Sequence, residues 1–377
     1  MAFGNENEFE LALVDLLTQK GWEKEVLVQP SEQDLLRNWA KIILDNNSGI
    51  DRLNGVPLTD GEIGQLLEQI NSLRTPQQLN GFINGRTTSI RRDNPADPLH
   101  LGKEVTIKLF SPHEIAAGQS RYQIVRQPRF SSHSPLLQQR RGDVMLLING
   151  MPVIHIELKK SGIPVSQAYN QIQKYSEEGI FSGLFQLIQI FVAMNPEETV
   201  YFANPGADGR FNKDFYFHWA DFNNNPLNDW KDIATYLLSI PMAHRLIGYY
   251  TIADRTDGIL KVLRSYQYYA VDSISKRVAQ RHNWHDTTKQ LGGYVWHTTG
   301  SGKTMTSFKS AQLIADSGDA DKVVFVIDRI ELGTQSAREY RNFSADDELV
   351  QETENTQALI DKMKSDKVAD TLIVSSI

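Results

Sequence analysis

The stretch GDVMLLINGMPVIHIELKKS (residues 142–161) decides how the chain is read. Two apolar runs flank Asn149-Gly150, the strongest short-range signal for a tight β-hairpin, so the segment reads as a hairpin built for a core. Such a hairpin has no packing reason to open with Asp143 and to close with Glu157, Lys159 and Lys160.

Those charges match the pattern D-x(13)-E-x-K. Glu157 and Lys159 are two apart on a strand and share one face. Two carboxylates on one face can hold Mg²⁺, which prefers oxygen ligands. The ion would polarise a phosphodiester and acidify a bound water, while Lys159 orients that water or steadies charge on phosphate. The plainer alternative is a charged hairpin end that meets solvent, since E-x-K tripeptides are common; the Asp at the head of the neighbouring strand favours the chemical reading. Face parity adds a condition. A strict two-residue loop pairs Ile148 with Met151, sets Asp143 opposite Ile156 and turns Glu157 to the other face. A three-residue loop, Ile148-Asn149-Gly150, would pair Leu147 with Met151 and bring both acids to one face. The site therefore predicts an odd-length loop or a bulge.

The 377 residues predict two or three domains; hydrophobic content is 40% and charged content 23%, ordinary for a globular protein. The absence of cysteine excludes disulfides, Cys-ligated zinc, iron–sulfur clusters and thiol catalysis. The acidic start MAFGNENEFELAL does not read as a signal peptide, and GLFQLIQIFVAM is too short to span a bilayer, so a cytoplasmic protein is expected. Net charge is −7, yet residues 86–141 hold ten Lys/Arg against four Asp/Glu, a local +6. That stretch, with Arg140 and Arg141, reads either as solvated surface or as a phosphate-facing patch beside the hairpin.

Helical spacing is clear over 6–20, and amphipathic helices are expected across 31–80. Residues 84–103 read as loop. KEVLVQP, EVTIKLF, LFQLIQIFVAM, TVYFAN and FYFHWA read as strands. SQAYNQIQKYSEEG, WKDIATYLLSI and DGILKVLRSYQYYAVDSISKRVAQR read as helices.

The second informative stretch is GYVWHTTGSGKTMTSF (293–308). An apolar strand leads into Thr299, Gly300, Ser301, Gly302, Lys303 and Thr304, and a helix follows. Glycines there let backbone N–H groups cradle phosphates at the helix N-terminus, with Lys303 reaching the β- and γ-phosphates and Thr304 ligating Mg²⁺. His297 stands where the strict phosphate-loop pattern has Gly.

The hairpin resembles the catalytic core of PD-(D/E)xK nucleases. In detail it is similar to the nuclease domain of the R (restriction) subunit of type I restriction–modification enzymes: the same Asp, then NG-P, then a Glu-x-Lys strand. The resemblance implies Asp143, Glu157 and Lys159 as catalytic residues, with Asp143 and Glu157 on the metal. It adds Gln171 and Tyr175 on the following helix, and a Glu of the first helix, Glu10 or, as the alternative, Glu8. The phosphate loop resembles that of superfamily 2 helicases and translocases. RSYQYYA is similar to their Q motif, in which Gln267 would read adenine with support from Arg264 and Tyr266. VVFVIDRIELGTQ resembles motif Ia, with Asp328, Arg329 and Gln335 on the DNA-backbone side. TLIVSSI is similar to the strand leading into motif Ib.

The resemblance implies an α/β fold: a PD-(D/E)xK endonuclease domain with a mixed central sheet over residues 1–258, then the first part of a parallel RecA-like ATPase domain over 259–377. It implies ATP-dependent translocation of double-stranded DNA, cleavage with Mg²⁺, and assembly with modification (methyltransferase) and specificity subunits. S-adenosylmethionine would enter only through those partners. The 377 residues include no Asp-Glu box after the loop, so this stretch alone is expected to lack ATP turnover. Alternatives are a stand-alone nuclease–helicase of another defence or repair system, and a non-cleaving DNA translocase or binding module.

Overall fold

The computed structural model describes residues 2–376 except 86, 113, 115–119, 131–139, 207–208, 281–291, 329, 345–348 and 354. The chain divides into two compact units. The first comprises residues 1–219, 226–251 and 258–262; the second comprises 220–225, 252–257 and 263–377.

The first unit is built on a six-stranded mixed sheet. Its strands, in spatial order, are β1 (Leu27–Val28), β2 (Tyr122–Arg126), β3 (Val144–Ile148), β4 (Met151–Leu158), β5 (Ile190–Asn195) and β6 (Glu198–Ala203). The pairs β1–β2 and β4–β5 are parallel, and the other three are antiparallel. Every residue of β3, β4 and β5 is buried, as expected of central strands covered on both faces. Helix α1 (Glu6–Gln19) starts at Asn5, whose side chain accepts from the Glu8 N–H, and it buries Phe9, Leu13 and Leu17. The crossover from β4 to its parallel neighbour β5 carries α2 (Ser166–Glu177), as a parallel connection requires.

The β3–β4 turn has two residues, with φ of 51° at Asn149 and 81° at Gly150, and Ile148 pairs with Met151. Both positive angles match a type I′ turn. The turn is buried. Asn149 Nδ2 donates to the Leu109 carbonyl at 3.0 Å, and Asn149 Oδ1 accepts from the Arg121 N–H at 2.9 Å. A Cβ on Gly150 would lie 2.9 Å from the Trp39 Cα. Of the two expected solutions, an odd-length loop or a bulge, the chain takes the bulge: the odd residue lies within the strand. Leu147 pairs with Pro152 and Leu146 with Ile154, which leaves Val153 as an unpaired bulge. Pro152 has no N–H to donate, so a regular ladder cannot run through it, and a bulge accommodates it.

Several further expectations need correction. Residues Thr87–Arg91 are not loop but a strand antiparallel to Glu104–Lys108. Only the second half of LFQLIQIFVAM is a strand; Gly183–Leu187 is a 3₁₀ turn, with Gly183 at φ 57°. FYFHWA makes isolated bridges, Tyr201 to Phe217 among them, and no strand, with aromatic packing in place of a ladder. The start of DGILKVLRSY is the strand Leu260–Val262, and its helix begins only at Ser265.

In the second unit three parallel strands, Val323–Ile327, Leu372–Ser376 and Val350–Thr353, lie in that spatial order. Helices Lys303–Ser317 and Ile330–Phe343 supply Phe308, Ala311, Ala337 and Tyr340 to a core with Val350, Leu372 and Val374. The expected strand over GYVWH is absent: no described strand pairs with it, and Tyr294 and Trp296 are each 87% exposed. Apolar residues make a strand only where a neighbour completes its ladder.

Candidate active site

The Val153 bulge sets the parity of the site. With Val144 opposite Ile156, one further step places Asp143 opposite Glu157, both on one face. Asp143 Oδ2 accepts from the Leu158 N–H at 2.7 Å. Glu157 is fully buried, and neither of its oxygens receives an aligned hydrogen bond. Burial raises both carboxyl groups well above the ordinary range, and each is held higher by acidic neighbours: Glu157 for Asp143, and Glu6 and Glu10 for Glu157. Lys159 opposes the shift in both. It is 8% exposed, its Nζ donates to the Leu158 carbonyl at 2.8 Å, and it lies 3.4 Å from Glu6 Oε1.

Helix α2 packs its motif residues against the same place. Gln171 Nε2 donates to the Tyr175 hydroxyl at 2.7 Å, and that hydroxyl donates to the Arg141 carbonyl at 2.9 Å, two residues before Asp143. Burial and the negative charge of Glu157 raise the Tyr175 phenol, so it stays a donor.

Helix α1 brings Glu10, not Glu8, toward the pair. Glu8 is exposed and accepts from Asn5 Nδ2 at 2.8 Å. Glu10 is buried, 2.6 Å from Arg126 Nε, with Gln127 Nε2 at 3.3 Å. The Gln127 N–H donates to the Asp143 carbonyl at 2.7 Å, so one residue links both acids. Glu6, one helical turn before Glu10, reaches Lys159 and was not anticipated; its i, i+4 relation to Glu10 is the signal that points to it.

His155 was also overlooked. It is fully buried two residues before Glu157, on the same face, with Nε2 3.2 Å from Glu157 Oε2. Desolvation lowers its imidazole to about 4. Alternation along β4 is the signal that places it there.

The basic patch is largely neutralised by partners far along the chain. Arg121 pairs with Glu23, Arg126 with Glu10 and Arg140 with Glu178, while Arg92 lies fully buried with Glu62 and Asp97. Arg140 is bound through Nε and Nη2, both at 2.8 Å, whereas Arg141 is exposed.

In the second unit Gly300 and Gly302 both have φ of 78°, and the helix begins at Lys303. Lys303 Nζ donates to the Thr298 carbonyl at 2.9 Å, folding back over the loop. The Tyr266 hydroxyl donates to the Ser301 carbonyl at 2.9 Å, and Gln267 Nε2 reaches the Ser301 and Gly302 carbonyls at 3.4 and 3.3 Å. Gln267 Oε1 accepts from the Arg264 N–H at 2.9 Å, so its amide is engaged with the chain's own backbone. Thr299 lies in the loop turn and Thr304 in the first helical turn. Gln335 is exposed and donates to Glu339. Arg329 lies outside the described residues.

Asp143 and Glu157 fit a hard divalent cation: both offer oxygen, they face each other, and the Glu157 oxygens are buried with no aligned donor. Among the described residues no three His, Asp or Glu side chains gather around one point, so a cation there would complete its shell from water or substrate. No described helix is long and apolar enough to cross a membrane.

The two units define a class of protein: a mixed α/β body with a buried carboxylate pair, followed by an α/β body with a glycine-rich loop at a helix N-terminus. Residues 4–210, more than half of the chain, match the family model described as type I restriction enzyme R protein N terminus, and the chain belongs to that family. Residues 266–377 match the SWI2/SNF2 ATPase model. The chain is 33% identical over all 377 residues to the type I restriction enzyme SsaAORF53P endonuclease subunit of Staphylococcus saprophyticus, of which it covers 37%. Identity and coverage are the same for the SauCOLORF180P endonuclease subunit of Staphylococcus aureus strain COL. It is 38% identical over 137 residues to the EcoprrI endonuclease subunit of Escherichia coli, covering 36% of this chain and 43% of that relative. The chain thus spans about 37% of the length of the Staphylococcus relatives.

Proposed function

We propose that the first unit is a PD-(D/E)xK endonuclease that hydrolyses phosphodiesters of double-stranded DNA, within the DNA-cleaving subunit of a cytoplasmic type I restriction enzyme. The observation that carries this reading is the buried, donor-poor Glu157 facing Asp143, with Lys159 two residues along. Asp143 and Glu157 would hold Mg²⁺. Bound there, the ion would supply positive charge at the scissile phosphate and acidify a water. Asp143 is kept in place by the Leu158 N–H, and Gln127 fixes its backbone. Lys159, on leaving Glu6, can donate to a phosphate oxygen or orient the attacking water. Gln171 and Tyr175 hold the strand that delivers Asp143.

The second unit is, in this reading, the start of a RecA-like ATPase that drives DNA translocation. Its loop amides and Lys303 grip nucleotide phosphates, and Thr304 serves a bound Mg²⁺. The partners are modification and specificity subunits, which choose the DNA site. The test is DNA cleavage by the assembled enzyme, with Mg²⁺ or with chelator, for wild type and Asp143→Ala. Cutting should require the metal and vanish in the variant; undiminished cutting by Asp143→Ala would overturn the assignment.

A further inference from the structure

His155 is a buried polar side chain that the chemistry above does not use. Its Nδ1 and Nε2 both lack an aligned hydrogen-bond partner. Phe130, Phe181 and Phe191 surround the ring, with centroid distances of 6.0, 5.5 and 6.2 Å. The polar group that Nε2 does approach is Glu157, 3.2 Å from Oε2. The backbone has been shaped to admit the ring. A Cβ on Gly142 would come 2.6 Å from His155 Cε1 and 3.1 Å from Phe130 Cε2. The glycine before Asp143 is thus the residue that lets the imidazole sit behind Glu157. A buried imidazole costs free energy if both nitrogens go unused, and an apolar side chain would fill this aromatic pocket without that cost.

We propose that His155 is the positioning residue of the metal-binding carboxylate: with the ion bound, its Nε2–H, already 3.2 Å from Glu157 Oε2, turns to donate to that oxygen and holds the opposite oxygen toward the ion. This rests on the proposed metal site. His155 is not a ligand in this proposal, since no third His, Asp or Glu joins the pair among the described residues. An outer partner of this kind tunes the affinity of a ligand set without touching the ion, typically by 10- to 100-fold.

The test is binding of Mn²⁺ alone to this 377-residue chain, followed by the paramagnetic signal of free Mn²⁺. Melting curves and near-ultraviolet circular dichroism verify folding. His155→Phe keeps the aromatic shape and removes the donor; His155→Gln places an amide N–H near the Nε2 position. His155→Phe should weaken Mn²⁺ about 10-fold, and His155→Gln should stay within about threefold of wild type. His155→Asn, whose amide falls at the Nδ1 position short of Glu157, should behave like Phe and gives the same decision if Phe does not fold. Wild-type affinity in the Phe and Asn variants, with binding lost in Glu157→Ala, overturns the role of His155 and leaves the metal site standing. Equal weakening in Phe, Asn and Gln also overturns it, because packing and not the donor would then matter. Undiminished binding in Glu157→Ala overturns the metal site itself and this inference with it.

Discussion

Asp143 stands opposite Glu157 because Val153 pairs with nothing on β3. Were Val153 to pair with Leu146 in a regular ladder, Ile156 would take the place of Glu157. The two-residue turn at Asn149-Gly150 and the acid pair are compatible only through this bulge. Deleting Val153 closes the bulge without changing this pairing, because Leu146 still faces Ile154, so a deletion variant that circular dichroism shows to be folded should still cut DNA in the assembled enzyme. A folded deletion variant that no longer cuts would show that the site needs the bulge itself and not only the pairing.

Glu157→Ala and Lys159→Ala should each remove DNA cleavage by the assembled enzyme and leave ATP hydrolysis near its wild-type rate. The two chemistries are assigned to separate units, so the defects should not cross. Cleavage at the wild-type rate by Lys159→Ala would exclude it from the reaction.

Arg92 is fully buried between Glu62 Oε2 at 2.6 Å and Asp97 Oδ2 at 3.4 Å. Arg92→Met would strand two buried carboxylates and should cost about 3–5 kcal/mol. Urea unfolding of the variant checks this, and a loss below about 1 kcal/mol would mean that the network relaxes without the arginine.

His244 gives the first unit a pH dependence. Its Nε2 donates to the Ser111 carbonyl at 3.0 Å, and its Nδ1 lies 2.9 Å from the Tyr122 hydroxyl. Burial lowers it to about 4 against an ordinary 6.5. Above pH 6.5 folded and unfolded chains are both neutral there, and the contribution is constant. As pH falls from 6.5 to 4 the unfolded chain takes up the proton first, so stability drops by about 3 kcal/mol and then levels off. The stability gap between wild type and His244→Gln should shrink by about that amount across the window. A gap independent of pH would show that the imidazole does not titrate as described.

Gly302 has φ of 78°, and a Cβ there would meet Gln267 Nε2 at 2.5 Å. Gly302→Ala should push the glutamine off the loop and weaken binding of a fluorescent ATP analogue by about 10-fold, combining backbone strain of about 1–2 kcal/mol with a lost contact. Unchanged affinity would mean that neither the glycine nor Gln267 shapes the loop.

The hairpin was legible in sequence because Asn-Gly fixes a turn and period-two parity converts a turn into a face. Where the extra residue sits was not legible, since an odd loop and an in-strand bulge satisfy parity equally; Pro152 decides between them only once its neighbour in the sheet is known. Glu10 over Glu8 follows from which side of α1 packs, which a short amphipathic helix leaves open. His155 was missed because a histidine in an apolar run reads as core until its ring is seen against a carboxylate. The net +6 of residues 86–141 shows a further limit: Glu23, Glu10 and Glu178, all outside the stretch, pair with three of its arginines, and a local charge count cannot see them. The GYVWH segment shows the same limit for strands, whose hydrogen bonds come from elsewhere in the chain.

Hairpin tips are ordinarily where a protein tolerates change, the natural choice for grafting an epitope, a cleavage site or a fluorophore. The Asn149-Gly150 tip is instead walled in by Trp39, Leu109 and Arg121. Lengthening it would have to displace a tryptophan, and would also shift the two strands by which the acids are aligned. A tag meant to report on this hairpin belongs elsewhere, and a library that randomises loop lengths across the chain should return almost nothing from this one.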